Sequence, residues 1–446
     1  SSLLFGGIIR AISRDCHQMK TVYFIFFCFC IAIAYCICFE FFLCASILFL
    51  LSQSIIGLYW LHRINGGFYF QDIRVFFICT YSLYSIFLPL VELFGLLSLF
   101  ENLMPQVTLL YASGLFGFNL VNMLRPIQLK NSISQKSKIP GVTFILVALF
   151  CLVAFSFIYM KLSGIAIFNF SEMSSRTELG QKISQLWIVV TFLVVLVINL
   201  LVFYFKKLTH IQKIYFLVIV LFYFIFQISL GNRREIATIL FFICSYYLVY
   251  KKKRINISFL VLALVLFVLS FYVTIYRDEN VKALAASDAF KIVLASNEFV
   301  YPIQTTAYII NDSWNLRFGM TYIILPLQIL IPRFIYPNKP STLGGEFIEK
   351  TFGDNYMGFA YTPVSEAYLN FGVIGPFIMM SILAYIFTLI IKKGHNGLGF
   401  YYFLLYSFVF DFCRGDFSSI FYALLITYVL GYRFFNYLLA IKIKIK

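Results

Sequence analysis

The chain has 446 residues, of which 61% are hydrophobic and only 12% charged, and its mean hydropathy is +0.89. A soluble domain of this composition would present an apolar surface nearly everywhere, so a soluble fold is excluded and a polytopic membrane protein is implied. The net charge of +16 would suit a nucleic-acid partner, but the basic residues gather in short connections between apolar runs, which excludes that reading too.

In chain order, residues 1–18 precede Met19, whose sequel KTVYFIFFC reads as a natural start, and they are assigned no function. Apolar runs then predict twelve spans at 22–38, 42–60, 75–99, 106–124, 141–160, 186–205, 214–230, 236–250, 255–275, 372–391, 397–412 and 417–436. Roughly 20 apolar residues cross a hydrocarbon core, and these runs lack the alternation of barrel strands. The expected fold class is all-α: a polytopic transmembrane helical bundle of about 12 spans with one large periplasmic loop containing short helices. Residues 1–275 form the first nine spans, 276–371 the loop, and 372–446 the last three spans with a basic cytoplasmic tail. Of the ten cysteines, Cys28, Cys30, Cys36 and Cys38 are the most closely spaced, and like most of the rest they lie inside apolar runs. They read as small apolar helix residues, against a disulfide framework or a thiolate metal site.

Alternate connections carry RPIQLKNSISQKSK (125–138), Lys206, Lys207 and Lys213, KKKR (251–254), Lys392 and Lys393, and the tail KIKIK. On this topology 22 Lys and Arg fall on one face and 13 on the other, seven of the 13 in the long loop. Excess Lys and Arg in short loops marks the cytoplasm, so both termini are expected inside. The outer face then receives residues 161–185, the GNRRE turn at 231–235, the segment 276–371 and DFCRGDF at 411–417. A connection of nearly 100 residues is too long to be a mere link. Its aromatic content and its stretches ALAASDAFKIVLAS, VYPIQTTAYII and MTYIILPLQILIP predict short helices, the last ending at Pro332.

Arg176, Arg233, Arg234, Arg277, Arg317, Arg333 and Arg414 come from four separate outer connections. A guanidinium group stays charged and offers paired planar donors that match phosphate oxygens, so a convergent set would hold a diphosphate. Plainer readings stand beside this one. Arg233 and Arg234 could snorkel to lipid headgroups or be offset by Glu235, and Arg277 could pair with Asp278 or Glu279. For Arg317 the plain structural role is favoured, and Arg414 sits between Asp411 and Asp416 at the tip of a tight turn. Glu366, in EAYLNFGVIGPF, stands where a helix enters the membrane. It either bridges to an arginine or acts as a base.

IPRFIYPNKPSTLGGEF (331–347) and GFAYTPVSEAYLNFGVIGPFI (358–378) resemble the outer loop and following helix of the Wzy polymerases, which build O-antigen and related polysaccharides from lipid-linked repeats. An arginine and a glycine with ten residues between them recur in that family's outer loops, as Arg333 and Gly344 do here. Arg176 of SSRTELG would match the arginine of the earlier loop, with Trp187 where the glycine would stand. The resemblance implies a bacterial inner-membrane glycosyltransferase that moves a growing glycan from undecaprenyl diphosphate to a sugar hydroxyl of an incoming repeat unit at the periplasmic face. Arg176, Arg233, Arg234, Arg277, Arg333 and Arg414 would bind the diphosphate, with Arg277 and Arg333 also counted as catalytic, because charge grows on the departing phosphate oxygens. Glu366 is the first candidate for the base, followed by Glu346, Asp354 and Asp416. Tyr361, Glu346 and Asp416 would contact the sugars. No metal and no cofactor is expected, no nucleotide loop is present, and a chain-length regulator is an implied protein partner.

Two alternatives remain. An O-antigen ligase would use the same donor and, by family resemblance, an outer-loop histidine, whereas His17, His62, His210 and His395 all fall inside on this topology. A transporter for lipid-linked oligosaccharides would place acids or bases in mid-membrane, where the sequence offers Glu92 and the amides Asn119, Asn122, Asn199 and Gln227.

Overall fold

A computed structural model describes residues 30–34, 36–38, 40–67, 69–97, 99–100, 102–129, 142–162, 185–229, 233–251, 299–330, 336, 343–353, 361–393, 399–418, 420 and 424. Within these residues every regular element is helical. In order they are α1 (Phe42–Asn65), α2 (Ile73–Leu93), α3 (Met104–Leu124), α4 (Val142–Leu162), α5 (Gln185–Phe203), α6 (His210–Ser229) and α7 (Arg233–Lys251). There follow α8 (Tyr301–Asn311), α9 (Met320–Leu330), α10 (Leu343–Phe352), α11 (Pro363–Phe371), α12 (Gly375–Lys393), α13 (Phe400–Ser407) and α14 (Asp411–Arg414). Among the described residues, six stretches are long and apolar enough to cross a membrane: α1, α2, α3, α4, most of α6, and Pro363–Lys392. The all-helical membrane architecture expected from the sequence is therefore present.

The predicted span 397–412 takes a different form. It is an eight-residue helix, α13, followed by a turn in which Phe408 and Val409 donate to the carbonyls of Leu405 and Tyr406 (3.1 and 3.2 Å). At 1.5 Å per residue, α13 alone is about 12 Å long, too short to cross the hydrocarbon. Spans 255–275 and most of 22–38 and 417–436 lie outside the described residues.

Two helical groups share one apolar core. In the first, α3 packs closely on α1 and α12, with α2 alongside. Small residues permit this approach: a Cβ on Gly117 of α3 would stand 2.4 Å from the Phe377 carbonyl oxygen of α12. With lipid outside, dense packing of this kind must supply much of the helix association. In the second group α4 packs on α5 and α6, and α7 on α5 and α13. An aromatic seam joins α5, α7 and α13, with Phe203 5.9 Å from both Phe400 and Phe403, and Phe242 5.5 Å from Phe400.

One end of the bundle is closed by a buried polar network. Asp72 caps α2 by accepting from the Arg74 amide (2.9 Å) and forms a salt bridge with the Arg74 guanidinium (Nη2 to Oδ2, 2.6 Å), both side chains fully enclosed. Asn65 donates to Asp72 (2.8 Å) and accepts from the Leu129 amide (3.1 Å), while Arg74 Nη2 also donates to the Ile127 carbonyl (2.9 Å). Tyr402 donates to the Gln71 carbonyl and accepts from the Ile73 amide, and Tyr406 donates to the Phe70 carbonyl (2.8 Å). Burial alone would raise the Asp72 carboxyl, but the adjacent Arg74 charge and these hydrogen bonds overcome it and hold the group below its ordinary value. The turn after α1, the segment after α3 and the start of α13 thus meet at one end, as alternate connections must.

At the other end, the described part of the long loop is ordered around a second core of Ile309, Leu343, Phe347, Ile348, Tyr361 and Leu369, supplied by α8, α10 and α11. Prolines at the first turns of α8 and α11 cost no hydrogen bond there. Gly372, with φ of 62°, ends α11 and redirects the chain into α12.

Candidate functional site

The site grows from the N-terminus of α11. Thr362 caps the helix by accepting from the Ser365 amide (3.0 Å), which places Glu366 in the first turn, facing inward and with no exposed surface. Its Oε1 accepts from the hydroxyls of Thr321 on α9 (2.9 Å) and of Ser418, and its Oε2 accepts from the Ser418 amide (3.1 Å). Asn370, one turn along α11, donates to Thr321 Oγ1 (2.6 Å) and to the Glu366 carbonyl (2.7 Å). Three separate stretches of chain are therefore tied to one carboxyl group.

No arginine or lysine pairs with Glu366 among the described residues. Its described partners are hydroxyls and a peptide N–H, while Arg176, Arg277 and Arg333 lie outside the described residues. The carboxyl is enclosed, with its two oxygens held by donors from α9 and from Ser418.

Asp416 stands beside it at the rim, half-buried, with its Oδ2 3.5 Å from the Ser418 hydroxyl that donates to Glu366. Arg414, also half-buried, ends α14 on the same turn, and its charge reaches Tyr84 of α2. Tyr361 precedes the cap. Its ring packs against Phe347 (6.3 Å between centroids), and its buried hydroxyl has no acceptor among the described residues. Burial, with the carboxylates of Glu366 and Asp416 nearby, holds the Tyr361 phenol well above its ordinary value, so it stays protonated and able to donate. Such an unsatisfied buried donor calls for a water or ligand oxygen.

Glu346 is committed elsewhere. It accepts a salt bridge from Arg317 and a second from Lys350 (2.8 Å), and Lys350 lies over the Trp314 ring (4.5 Å). Burial would raise its carboxyl, but the two cations outweigh that and lower it. The plain role expected of Arg317 is the observed one: it ties the segment before α9 to α10, while its backbone amide donates to the Leu369 carbonyl (2.9 Å). The substrate contact expected of Glu346 thus competes with two ion pairs.

Behind the site runs a chain of hydroxyls. Tyr111 of α3 donates to the Pro302 carbonyl (3.0 Å) and lies 3.2 Å from both Thr306 and Thr362. Ser365 lies 2.7 Å from the same two threonines. This links the site to the bundle core.

Of the remaining predicted residues, Arg233 and Arg234 open α7, where only the backbone is described. Arg176, Arg277, Arg333 and Asp354 lie outside the described residues, so the convergence of the full arginine set is not part of this geometry. Sequence reading missed Thr321, Ser418 and Tyr111. Among the described residues no three His, Cys, Asp or Glu side chains are grouped to hold a metal ion. Glu92, the one acid expected within a span, has its Oε1 accepting from the Leu99 and Phe100 amides (3.2 and 3.1 Å), closing the turn between α2 and α3.

Family models, curated proteins and solved structures give no match to the chain.

Proposed function

We propose that this chain is a membrane glycosyltransferase that polymerises repeat units carried on undecaprenyl diphosphate at the periplasmic face of a bacterial inner membrane. The observation that supports it best is the knot of Glu366, Thr321 and Ser418. Beside it lie Asp416, reached through Ser418, and the Tyr361 hydroxyl, which is near both carboxylates and has no acceptor among the described residues. Enclosed acids are costly and are kept where they organise something.

In this reading Asp416 accepts the proton of the acceptor sugar hydroxyl. That oxygen forms the new bond to the anomeric carbon of the growing glycan. The bond from that carbon to the diphosphate oxygen breaks, and its electron pair leaves with undecaprenyl diphosphate. Arg414, with Arg233, Arg234 and the arginines at 176, 277 and 333, stabilises the charge on the leaving oxygens. Tyr361 donates to a sugar or phosphate oxygen, and Glu366 positions Asp416 through Ser418. Glu346 holds α10 in place.

The test is polysaccharide ladder length in the cell that makes the protein. Asp416→Asn is expected to slow elongation by about 10²–10⁴-fold, the usual contribution of a general base. Arg414→Ala is expected to cost about 10²-fold. Both should leave single repeats at normal protein levels, whereas full ladders from both variants would overturn the reading. The transporter alternative gains from one observation, the enclosed Glu366 with no cation partner among the described residues. It would instead require proton-gradient-dependent movement of lipid-linked oligosaccharide in proteoliposomes, lost in Glu366→Gln.

A further inference from the structure

At the end of the bundle closed by Asp72 and Arg74, a groove with about 340 Å³ of space opens between the C-terminal ends of α3 and α12. It is lined by Arg125, Pro126, Ile127, Thr388, Leu389 and Lys392. The lining is mostly apolar, it contains two cations and no acid, and each cation comes from a different helix end. We propose that this groove binds the headgroup of an anionic phospholipid, with the phosphate between Arg125 and Lys392 and an acyl chain along Leu389.

Three features carry this. First, α3 and Pro363–Lys392 are both long and apolar enough to span the bilayer, so their ends lie at headgroup depth. Second, the apolar wall continues onto exposed side chains, Leu124 (72% exposed) and Tyr385 (39%), where a chain can lie. Arg125 is stacked 4.8 Å over the Tyr385 ring, which holds the guanidinium at the edge of that wall. Third, the groove is prebuilt. The Ile127 carbonyl is held by the enclosed Arg74, and the Leu129 amide by Asn65, so the segment following α3 is pinned from behind. A site whose wall is already ordered loses less entropy on binding. Free phosphate would use the same two cations but would gain nothing from the apolar wall; a bilayer lipid uses both.

The experiment compares the purified full chain in nanodiscs or detergent with added phosphatidylglycerol, phosphatidylcholine or inorganic phosphate, reading melting temperature and bound lipid by native mass spectrometry. Phosphatidylglycerol is expected to stabilise the wild type selectively. The double variant Arg125→Gln, Lys392→Gln, at two exposed positions, should bind it about thirtyfold more weakly, about fivefold for each cation. A control that removes the same charge elsewhere, Lys206→Gln with Lys213→Gln, should keep the wild-type response. Equal stabilisation by phosphatidylcholine, full stabilisation by inorganic phosphate alone, or an unchanged response in the double variant would each overturn the proposal.

Discussion

Two enclosed carboxylates mark the two ends of this bundle, and they are solved differently. Asp72 is matched by a guanidinium, an amide N–H and the Asn65 side chain, and its pair neutralises it. Among the described residues, Glu366 receives only two hydroxyls and one peptide N–H. A buried charge with a full partner is architecture, since removing either member strands the other in a medium of low polarity. A buried acid whose hydrogen-bond donors are neutral can change its protonation or its contacts without leaving a cation behind. The contrast separates the end that holds the fold together from the end where chemistry is expected.

The largest effect should come from breaking the architectural pair. Asp72→Asn leaves Arg74 charged and enclosed, and should cost about 3–5 kcal/mol, whereas the double change to Leu at 72 and Met at 74 should recover most of it. Thermal unfolding in detergent reads both. The sign of the acid response follows from the lowered Asp72 value. Its contribution is fully present above the unfolded value of about 3.9 and is lost as pH falls through the lower folded value. Wild type should therefore lose melting temperature across that acid window, and the Leu–Met double variant should lose less.

A smaller effect is expected from Glu366→Gln. The new carbonyl can face the Ser418 amide while its NH₂ group donates to the Thr321 and Ser418 hydroxyls, which rotate to accept. The stability loss should be about 1 kcal/mol or less. A loss as large as that of Asp72→Asn would show that Glu366 balances a cation, and would collapse the contrast between the ends. The smallest effect belongs to Arg317→Ala. Its salt bridge with Glu346 is about a quarter exposed on both sides and solvent-screened, so about 1 kcal/mol or less is expected, checked by the same unfolding measurement in low and high salt.

Much of the helical layout was legible because apolar runs and basic connections are strong, regular signals: predicted spans 106–124, 141–160 and 186–205 correspond to α3, α4 and α5 within a few residues. Within span 397–412 the helix is interrupted at Phe408–Phe410, and the composition stays apolar there, with no glycine or proline to announce the break. Arg74, one residue before the predicted span 75–99, is enclosed. The signal was present in Asp72, two residues earlier, and Asn65 across the turn. Glu366 and Asp416 stood out as rare acids beside apolar text, and Tyr361 was named only with the family resemblance. Their organisers were not legible, because Thr321, Ser418 and Tyr111 are common residues whose importance arises only when distant segments meet.

The glycine contact between α3 and α12 bears on which parts of the bundle can move. With the Phe377 carbonyl lying where a Gly117 side chain would begin, those two helices form a single beam. Tyr111 roots one end of that beam in the hydroxyl chain behind Thr362. Parting these helices would forfeit the densest packing among the described helices, so α3 and α12 are expected to move as one unit.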